Sequence, residues 1–589
     1  MCAWDVGLWA WLRGQVACDA RGSACGGWSV IEGKAFLKHP YTTANLTGAP
    51  PNSLLYTKHC GPWTDPVGSI PTVWPLPAAV SSGNTTTLLT PNFSLTTTAG
   101  SALLHRGLQR CSDIVFTHAA AEAGPESRPG TAHPESHPDA RGVPLTGLEV
   151  VVANESEALF LGVDESYSLT VPAGCRGAHG GGAAAGPCTV MLYAATVFGA
   201  LRGLETFSQL VRFDYLQEQY FVPKAPVVIS DQPRFPYRGI MLDVARHFFP
   251  LAALRQTVDA MSYAKFNVLH LHLSDDQSFP VVSRTHPALA AGAFGPTEKY
   301  TLGDLTALAQ YARDRGVLIV GEFDAPGHST AWCQGIPALC PSPACMAPMS
   351  PHTNLTFEVI ADIASEITTA FGSGMYHGGG DEVSYACWES SPAIKAWMSE
   401  RGFHQPQQAY AYFLQRVATE AAPAAVMFWQ DAFERAEPGT PLPADTIIQF
   451  YRTGPLAAAA AKHRVVFADN HMWGLDIHTS TKTWDSFYAV DPTAGLNGSL
   501  ANLIGGESCV WTVTFDASVL STVLWPRLLA VSEKLWTPKA LTANTTANAA
   551  LERLSWARCM LNSRGVPAAS PLANLTPEPS PLYGSCLLQ

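Results

Sequence analysis

Two adjacent carboxylates follow three glycines in His377-Gly-Gly-Gly-Asp381-Glu382. A run of glycines lets a ligand approach the backbone closely. Neighbouring carboxyl groups there can divide labour: one, partly desolvated, keeps a proton to donate, while its hydrogen-bonded neighbour stays ionised. Residues of matching chemistry end other compact apolar runs: Asp243 and Arg246, Asp275 and Asp276, Asp324 and His328, Trp429, Tyr451, Asp476 and Trp511. Carboxylates with one Arg and several aromatics suit a sugar, because a ring face stacks on the apolar face of a pyranose and a forked guanidinium holds adjacent hydroxyls. His270-Leu-His272 puts two imidazoles on one face of a strand, as in some metal-dependent hydrolases. No third and fourth ligands are read at matching strand ends, so the pair is taken as packed interior histidine, with no metal and no cofactor. No GxSxG is present, and the cysteines read as disulfide partners rather than nucleophiles.

The elements that must position these residues are short apolar strands alternating with amphipathic helices. The strand runs are Gly239–Val244, Phe266–Leu273, Val317–Phe323, Met375–His377, Ala424–Trp429, Thr446–Tyr451, Arg464–Ala468 and Leu503–Trp511. Helical spacing fills several of the gaps, at Leu251–Ala264, Leu302–Arg315, Phe357–Phe371, Gln408–Ala421 and Val519–Leu535. Eight buried strands with helical connections predict an α/β fold, a (β/α)8 TIM barrel whose carboxyl-end face gathers the strand-end residues. A doubly wound open sheet is the alternative, but no GxGxxG follows a first strand and no P-loop occurs. Ahead of the barrel, alternating runs at Gly147–Ala153 and Tyr167–Val171 and a helical pattern at Phe198–Val211 predict a small α+β domain. The reading is therefore 1–70, an extension of no assigned role; 71–232, the α+β domain; and 233–589, the catalytic barrel. Cys175 and Cys188 could staple a Gly/Ala-rich hairpin tip, and the polar tract His118–Arg141 reads as a surface insertion.

Composition narrows the partners. The 589 residues carry a net charge of −12 with no basic block, which argues against nucleic acid. No apolar stretch reaches the length of a membrane span. Eight Asn-X-Ser/Thr sites, at Asn45, Asn84, Asn92, Asn154, Asn354, Asn497, Asn544 and Asn574, and fourteen Cys without a CxxC pair suit an oxidising compartment. The expected location is the secretory pathway, lysosomal/vacuolar or extracellular. The segment Met1–Cys18 is apolar but broken by Asp5 and Arg13, so a signal peptide is either atypical or missing from this sequence.

Four long motifs carry a family resemblance: Arg238-Gly-Ile-Met-Leu-Asp-Val-Ala-Arg-His247, Phe266–Pro280 (FNVLHLHLSDDQSFP), Glu322-Phe-Asp-Ala-Pro-Gly-His328 and His377-Gly-Gly-Gly-Asp-Glu-Val383. Together with Val73-Trp-Pro-Leu-Pro77, the Phe198–Val211 helix and Trp525-Pro-Arg527, they resemble the family-20 β-N-acetylhexosaminidases of the eukaryotic lysosomal and secreted type. The resemblance implies exo-acting removal of terminal β-linked N-acetylglucosamine or N-acetylgalactosamine from glycans, by a substrate-assisted retaining mechanism. It implies Glu382 as general acid and then base, Asp381 as the group that orients the acetamido N–H, and Asp275 with His328 as the chain that tunes Glu382. It further implies Arg246 on the sugar hydroxyls, Trp429 and Tyr451 as walls of the acetamido pocket, Trp511 beneath the ring, Asp476 as a substrate contact, and a homodimer. Two positions depart from the family: Gly474 stands where a Tyr bonds the acetamido carbonyl, and Val513 where a Glu binds distal hydroxyls. Those departures motivate an alternative, a catalytically weak glycan-binding relative. By the same resemblance Cys559 pairs with Cys586, and Cys387 with Cys340 or Cys345.

Overall fold

Runs of Val, Ile and Leu with few charges form strands that are buried on both faces, as parallel sheets require. In the computed structural model eight of them close a barrel in sequence order, each parallel to its neighbours. They are β1 Tyr237–Asp243, β2 Val268–His272, β3 Leu318–Glu322, β4 Met375–His377, β5 Ala425–Trp429, β6 Ile447–Phe450, β7 Arg464–Phe467 and β8 Leu503–Val510. The structure describes residues 72–571, except 119–142, 175–187, 216, 421–424, 436, 438, 477–481, 497–499, 544 and 546, together with three short strands nearer the N-terminus. The predicted insertion at His118–Arg141 and the Cys175–Cys188 tip thus fall almost wholly outside the described residues.

Helices Leu251–Tyr263, Leu302–Arg313, Asn354–Phe371 and Pro406–Glu420 lie where the periodicity puts them. The single helix expected over Val519–Leu535 is instead two, Leu520–Leu524 and Arg527–Trp536. Pro526 lies between them, and a proline there supplies no N–H to a continuing ladder. Inside the barrel the lower layer is apolar, with Val268, Leu318, Val320, Met375, Met427, Ile447 and Val466 packed together and Leu159 and Leu161 against them.

Before the barrel stands a mixed six-stranded sheet, in the order Ala79–Thr97, Leu145–Asn154, Thr189–Thr196, Tyr167–Val171, Gln219–Asp231 and Arg212–Asp214. The long first strand also pairs antiparallel with Gln219–Asp231. Helices Ala102–Val115 and Val197–Leu210, capped by Ser101 and Thr196, contribute their apolar faces to the sheet's core. Sheet and barrel join through buried charge: Glu165 accepts from both Arg202 and Arg238, and Lys265 bonds Asp231 at 3.0 Å. The first 68 residues form a separate unit, whose described part is an antiparallel sheet with Trp28–Ile31 between Lys34–Leu37 and Leu54–Tyr56.

Disulfides join Cys345 to Cys387 and Cys333 to Cys340, so of the two partners implied for Cys387 it is Cys345 that takes it. Cys188 and Cys559 are also disulfide-bonded; the partners read for them, Cys175 and Cys586, lie outside the described residues. No helix among the described residues is long and apolar enough to cross a membrane.

Candidate active site

The barrel register sets the site. Asp243, His272, Glu322 and His377 are lateral neighbours on β1 to β4, so four ionisable side chains follow one another across adjacent strands near their carboxyl ends. The chain beyond each strand end supplies the rest of the rim. Asp243 shapes the first turn by accepting from the N–H groups of Ala245 and Arg246, both at 3.0 Å. Arg246 then reaches Asp243 at 3.2 Å and Asp275 at 2.6 Å, and lies 4.9 Å over the Trp511 ring.

After β4 the backbone must fold tightly against β3. Gly379 has φ 68°, and a Cβ there would fall 1.8 Å from Asp324 Oδ1, so only glycine fits. Gly380 N–H donates to that oxygen at 2.8 Å, and Tyr410 donates to the Gly380 carbonyl at 2.6 Å. The turn so pinned delivers Asp381 inward, buried, and Glu382 outward, with 61% of its side chain exposed. His328 and Glu382 both hold left-handed backbone, at φ 47° and 50°. Such conformations cost L residues on the order of 1–3 kcal/mol and concentrate at functional sites.

A chain of contacts links these groups. His328 Nδ1 lies 3.3 Å from Asp275 Oδ1, and its Nε2 lies 3.7 Å from Glu382 and 3.9 Å from Asp381. Burial opposes a charge on His328, but its hydrogen bond to Asp275 and the nearby Glu382, Asp381 and Asp324 carboxylates outweigh that and raise its pKa. Burial likewise opposes the Asp275 anion, yet His272 and His328 hold it far below the usual carboxylate range. Of the two carboxylates the raised one is Asp381, not Glu382, to which the resemblance gives the acid role. Burial, with the Glu322 and Asp431 carboxylates adding to it, raises Asp381 against the opposing pull of His328 and Asp324, whereas His328, 3.7 Å away, lowers Glu382, which faces solvent.

The opposite wall is aromatic. Trp429, fully buried, lies 5.5 Å from Tyr451 in an edge-on arrangement and 5.9 Å from Trp511. Tyr451 donates to Asp431 at 3.0 Å. Trp511 is tied down by Leu475, whose carbonyl accepts its N–H at 2.8 Å. Eight of the nine residues to which the resemblance gives a role are thus brought together: Arg246, Asp275, His328, Asp381, Glu382, Trp429, Tyr451 and Trp511. Asp476 follows the Leu475 bridge, with its carboxylate 3.8 Å from Lys482 Nζ.

Gly474 is not simply a truncated position. A Cβ built on it would lie 2.6 Å from the Asn470 carbonyl oxygen and 2.7 Å from Asn470 Cα. Lys482 Nζ donates to the carbonyls of Asn470 and Gly474, both at 2.6 Å, and secures that close turn. Val513, at the other departure, is 51% exposed.

Further groups went unassigned in the sequence. Beneath His272 and Trp429, Glu322 accepts from His272 Nδ1 and Trp429 Nε1, both at 2.6 Å, and Glu507 receives Tyr237 and Gln449. His270 lies between the two, 3.1 Å from each carboxylate. The reading that no further ligand types stand at matching strand ends is corrected here, because Glu322 and His377 close a cluster with His270. Its carboxylate oxygens are already engaged by Trp429 and His272. A Glu inside an otherwise apolar strand was the available signal.

Residues 235–539 match the family described as "Glycosyl hydrolase family 20, catalytic domain", and residues 73–210 match "beta-acetyl hexosaminidase like". The chain belongs to glycosyl hydrolase family 20. Its relatives include "Beta-hexosaminidase 1" of Arabidopsis thaliana, 38% identical with 89% of this chain and 95% of that protein covered. "Beta-hexosaminidase subunit alpha" of Rattus norvegicus is 34% identical, covering 84% and 93%. Among solved structures, a Flavobacterium johnsoniae chitobiase superposes with a TM-score of 0.70 at 24% identity, over 84% of this chain and 73% of that one, which bears on the fold alone. The hexosaminidase is accordingly a glycosidase of the β-N-acetylhexosaminidase class, acting on hexosamine glycans. Its barrel, with a domain ahead of it, is the architecture the sequence predicts.

Proposed function

We propose that this hexosaminidase removes terminal non-reducing β-linked N-acetylglucosamine or N-acetylgalactosamine with retention, using the substrate's own acetamido group as nucleophile. The observation that carries the reading is the placement of Asp381 and Glu382 on one turn, between the His328–Asp275 chain and the Trp429–Tyr451–Trp511 wall. A sugar seated on Trp511, with its hydroxyls toward Arg246, presents its 2-acetamido group to the wall. The acetamido oxygen bonds to the anomeric carbon as the glycosidic C–O bond breaks, and Glu382 gives its proton to the leaving oxygen. Asp381 takes the acetamido N–H and balances the oxazolinium charge. Water then adds to the anomeric carbon and returns a proton to Glu382 as the ring opens.

The pKa of His328 is raised and that of Glu382 lowered, so the pair's proton favours His328 before substrate binds. One proton is shared by two sites, it must stand on Glu382 when the leaving oxygen is protonated, and the titration belongs to the pair. A substrate that excludes water from Glu382 raises its proton affinity, while Asp275 continues to hold Nδ1–H of the neutral His328.

The departures at Gly474 and Val513 alter the cradle, not this machinery, and the glycan-binding alternative draws no support from relatives that are themselves named hexosaminidases. The division into 1–70, 71–232 and 233–589 fits the same reading, with the barrel doing the chemistry and the segment before it sealing the barrel floor through Leu159 and Leu161. Two formed disulfides and the glycosylation sites favour the secretory pathway, with lysosome/vacuole or extracellular space as the destination. A homodimer rests on the resemblance.

The decisive assay is hydrolysis of chromogenic β-N-acetylglucosaminide, β-N-acetylgalactosaminide and β-glucoside across about pH 4 to 7, the span between ordinary carboxylate and imidazole values. Cleavage of the two N-acetyl sugars but not the glucoside is the expected result. Equal cleavage of the glucoside would remove the acetamido group from the mechanism.

A further inference from the structure

The acid/base chain does not stop at Asp275. His272 lies between two carboxylates, with Nδ1 2.6 Å from Glu322 and Nε2 2.9 Å from Asp275. Ionised carboxylates only accept hydrogen bonds, so both ring nitrogens of His272 must donate, which requires an imidazolium. His270 continues the column with one hydrogen bond, Nδ1 to Glu507 at 3.1 Å, while its Nε2 lies 3.1 Å from Glu322 without hydrogen-bond alignment. Acid and base therefore alternate from Glu507 through His270, Glu322, His272, Asp275 and His328 to Glu382.

At its lower end this column is closed. Glu507 is capped by Tyr237 and Gln449, each at 2.5 Å, and the apolar layer of Val320, Met375, Met427 and Ile447 lies below it. A column without a second exit holds charge and orientation; it does not pass protons through the barrel. Its branch point is Glu322, which is fully buried and whose two oxygens face different halves of the site. Oε2 takes the His272 arm and Oε1 takes the indole N–H of Trp429.

We propose that Glu322 is a positioning residue that couples the general acid/base chain to the wall of the acetamido pocket, so that proton donor and nucleophile are aligned by one buried carboxylate. This rests on the roles given above to Glu382 and Trp429. Glu322 touches neither substrate nor reacting atoms; it acts through His272 and Trp429. An amide of the same shape does not preserve the column's charge, because a Gln that accepts from Trp429 turns N–H toward His272 Nδ1 and can be met only by a neutral imidazole.

The test uses the full-length enzyme and compares kcat/KM for a sugar leaving group, which needs protonation, with an activated aryl leaving group, which needs little. It also measures binding of a thiazoline mimic of the oxazolinium ion by calorimetry. General acid–base catalysis is worth about 100- to 10,000-fold, so a lost orienting partner should take about 10- to 100-fold for the sugar leaving group. Glu322→Gln is expected to show that loss, at least tenfold less of it on the aryl substrate, and weaker thiazoline binding. His272→Gln should reproduce only the leaving-group-dependent loss. Trp429→Phe should reproduce only the weaker thiazoline binding, with a uniform loss across leaving groups. A uniform loss or full activity in Glu322→Gln would overturn the inference. If that variant does not fold, the other two decide it: a uniform loss in His272→Gln overturns it, and the divided pattern supports it. Absence of acetamido-dependent hydrolysis in the unmodified enzyme would sink the proposed function instead.

Discussion

The turn after β4 and the loop after β7 are each built around a glycine, and they ask different things of it. At Gly379 a side chain would strike the Asp324 carboxylate that shapes the catalytic turn. At Gly474 it would strike the backbone of Asn470, within a loop that Lys482 closes from the other side. The first glycine lets two carboxylates stand at fixed height beside His328. The second closes a compact turn at a position where the resemblance implies a substrate contact. The acid/base half is therefore held by buried side-chain partners at short range, whereas the cradle half rests on a tight backbone turn, and the two halves should respond differently to substitution.

The largest response belongs to Glu382→Gln, which removes the transferable proton. On a sugar leaving group we expect kcat/KM to fall by about 100- to 10,000-fold with thiazoline binding retained, measured by steady-state kinetics and calorimetry. Retained turnover would move the general acid elsewhere and erase the contrast.

Asp381→Asn comes next, with a loss on the order of 100- to 1000-fold for a group that balances developing charge. It also carries the pH signature. Burial raises Asp381, so the ionised form that the mechanism needs is lost as pH falls through a value above the ordinary aspartate range. The kcat/KM profile of the unmodified enzyme should therefore drop on the acid side above that range, and the residual activity of Asp381→Asn should lack the limb. On the alkaline side the raised His328 keeps the pair's shared proton, so activity should persist to higher pH than an isolated glutamate would allow.

The smallest effect is expected at the cradle. Gly474→Tyr restores the family's residue type but forces a Cβ into Asn470, and overpacking of this kind costs about 1–3 kcal/mol. A lower melting temperature without gain in kcat/KM is expected; a gain at unchanged stability would show that the loop can yield.

Much of this was legible in the sequence because burial on both faces writes continuous apolar runs, and eight of them define the barrel. The rim residues were legible for the same reason, since each ends a run. The column beneath them was not. Glu322 and Glu507 are single charges within apolar strands, and only the register that sets Asp243, His272, Glu322 and His377 side by side tells which partners they meet. Nor could the sequence say which of two neighbouring carboxylates is buried, because that depends on how the turn after β4 aims them. Gly474 was visible as a departure, but its cause lies in a backbone contact that leaves no mark on composition.

The left-handed backbone at His328 and Glu382 has a consequence for the history of such a site. Both positions would be relaxed by glycine, which pays no penalty there, and neither chemistry would survive the exchange. The most comfortable version of these two loops is thus a dead one. Selection for durability alone would erode them.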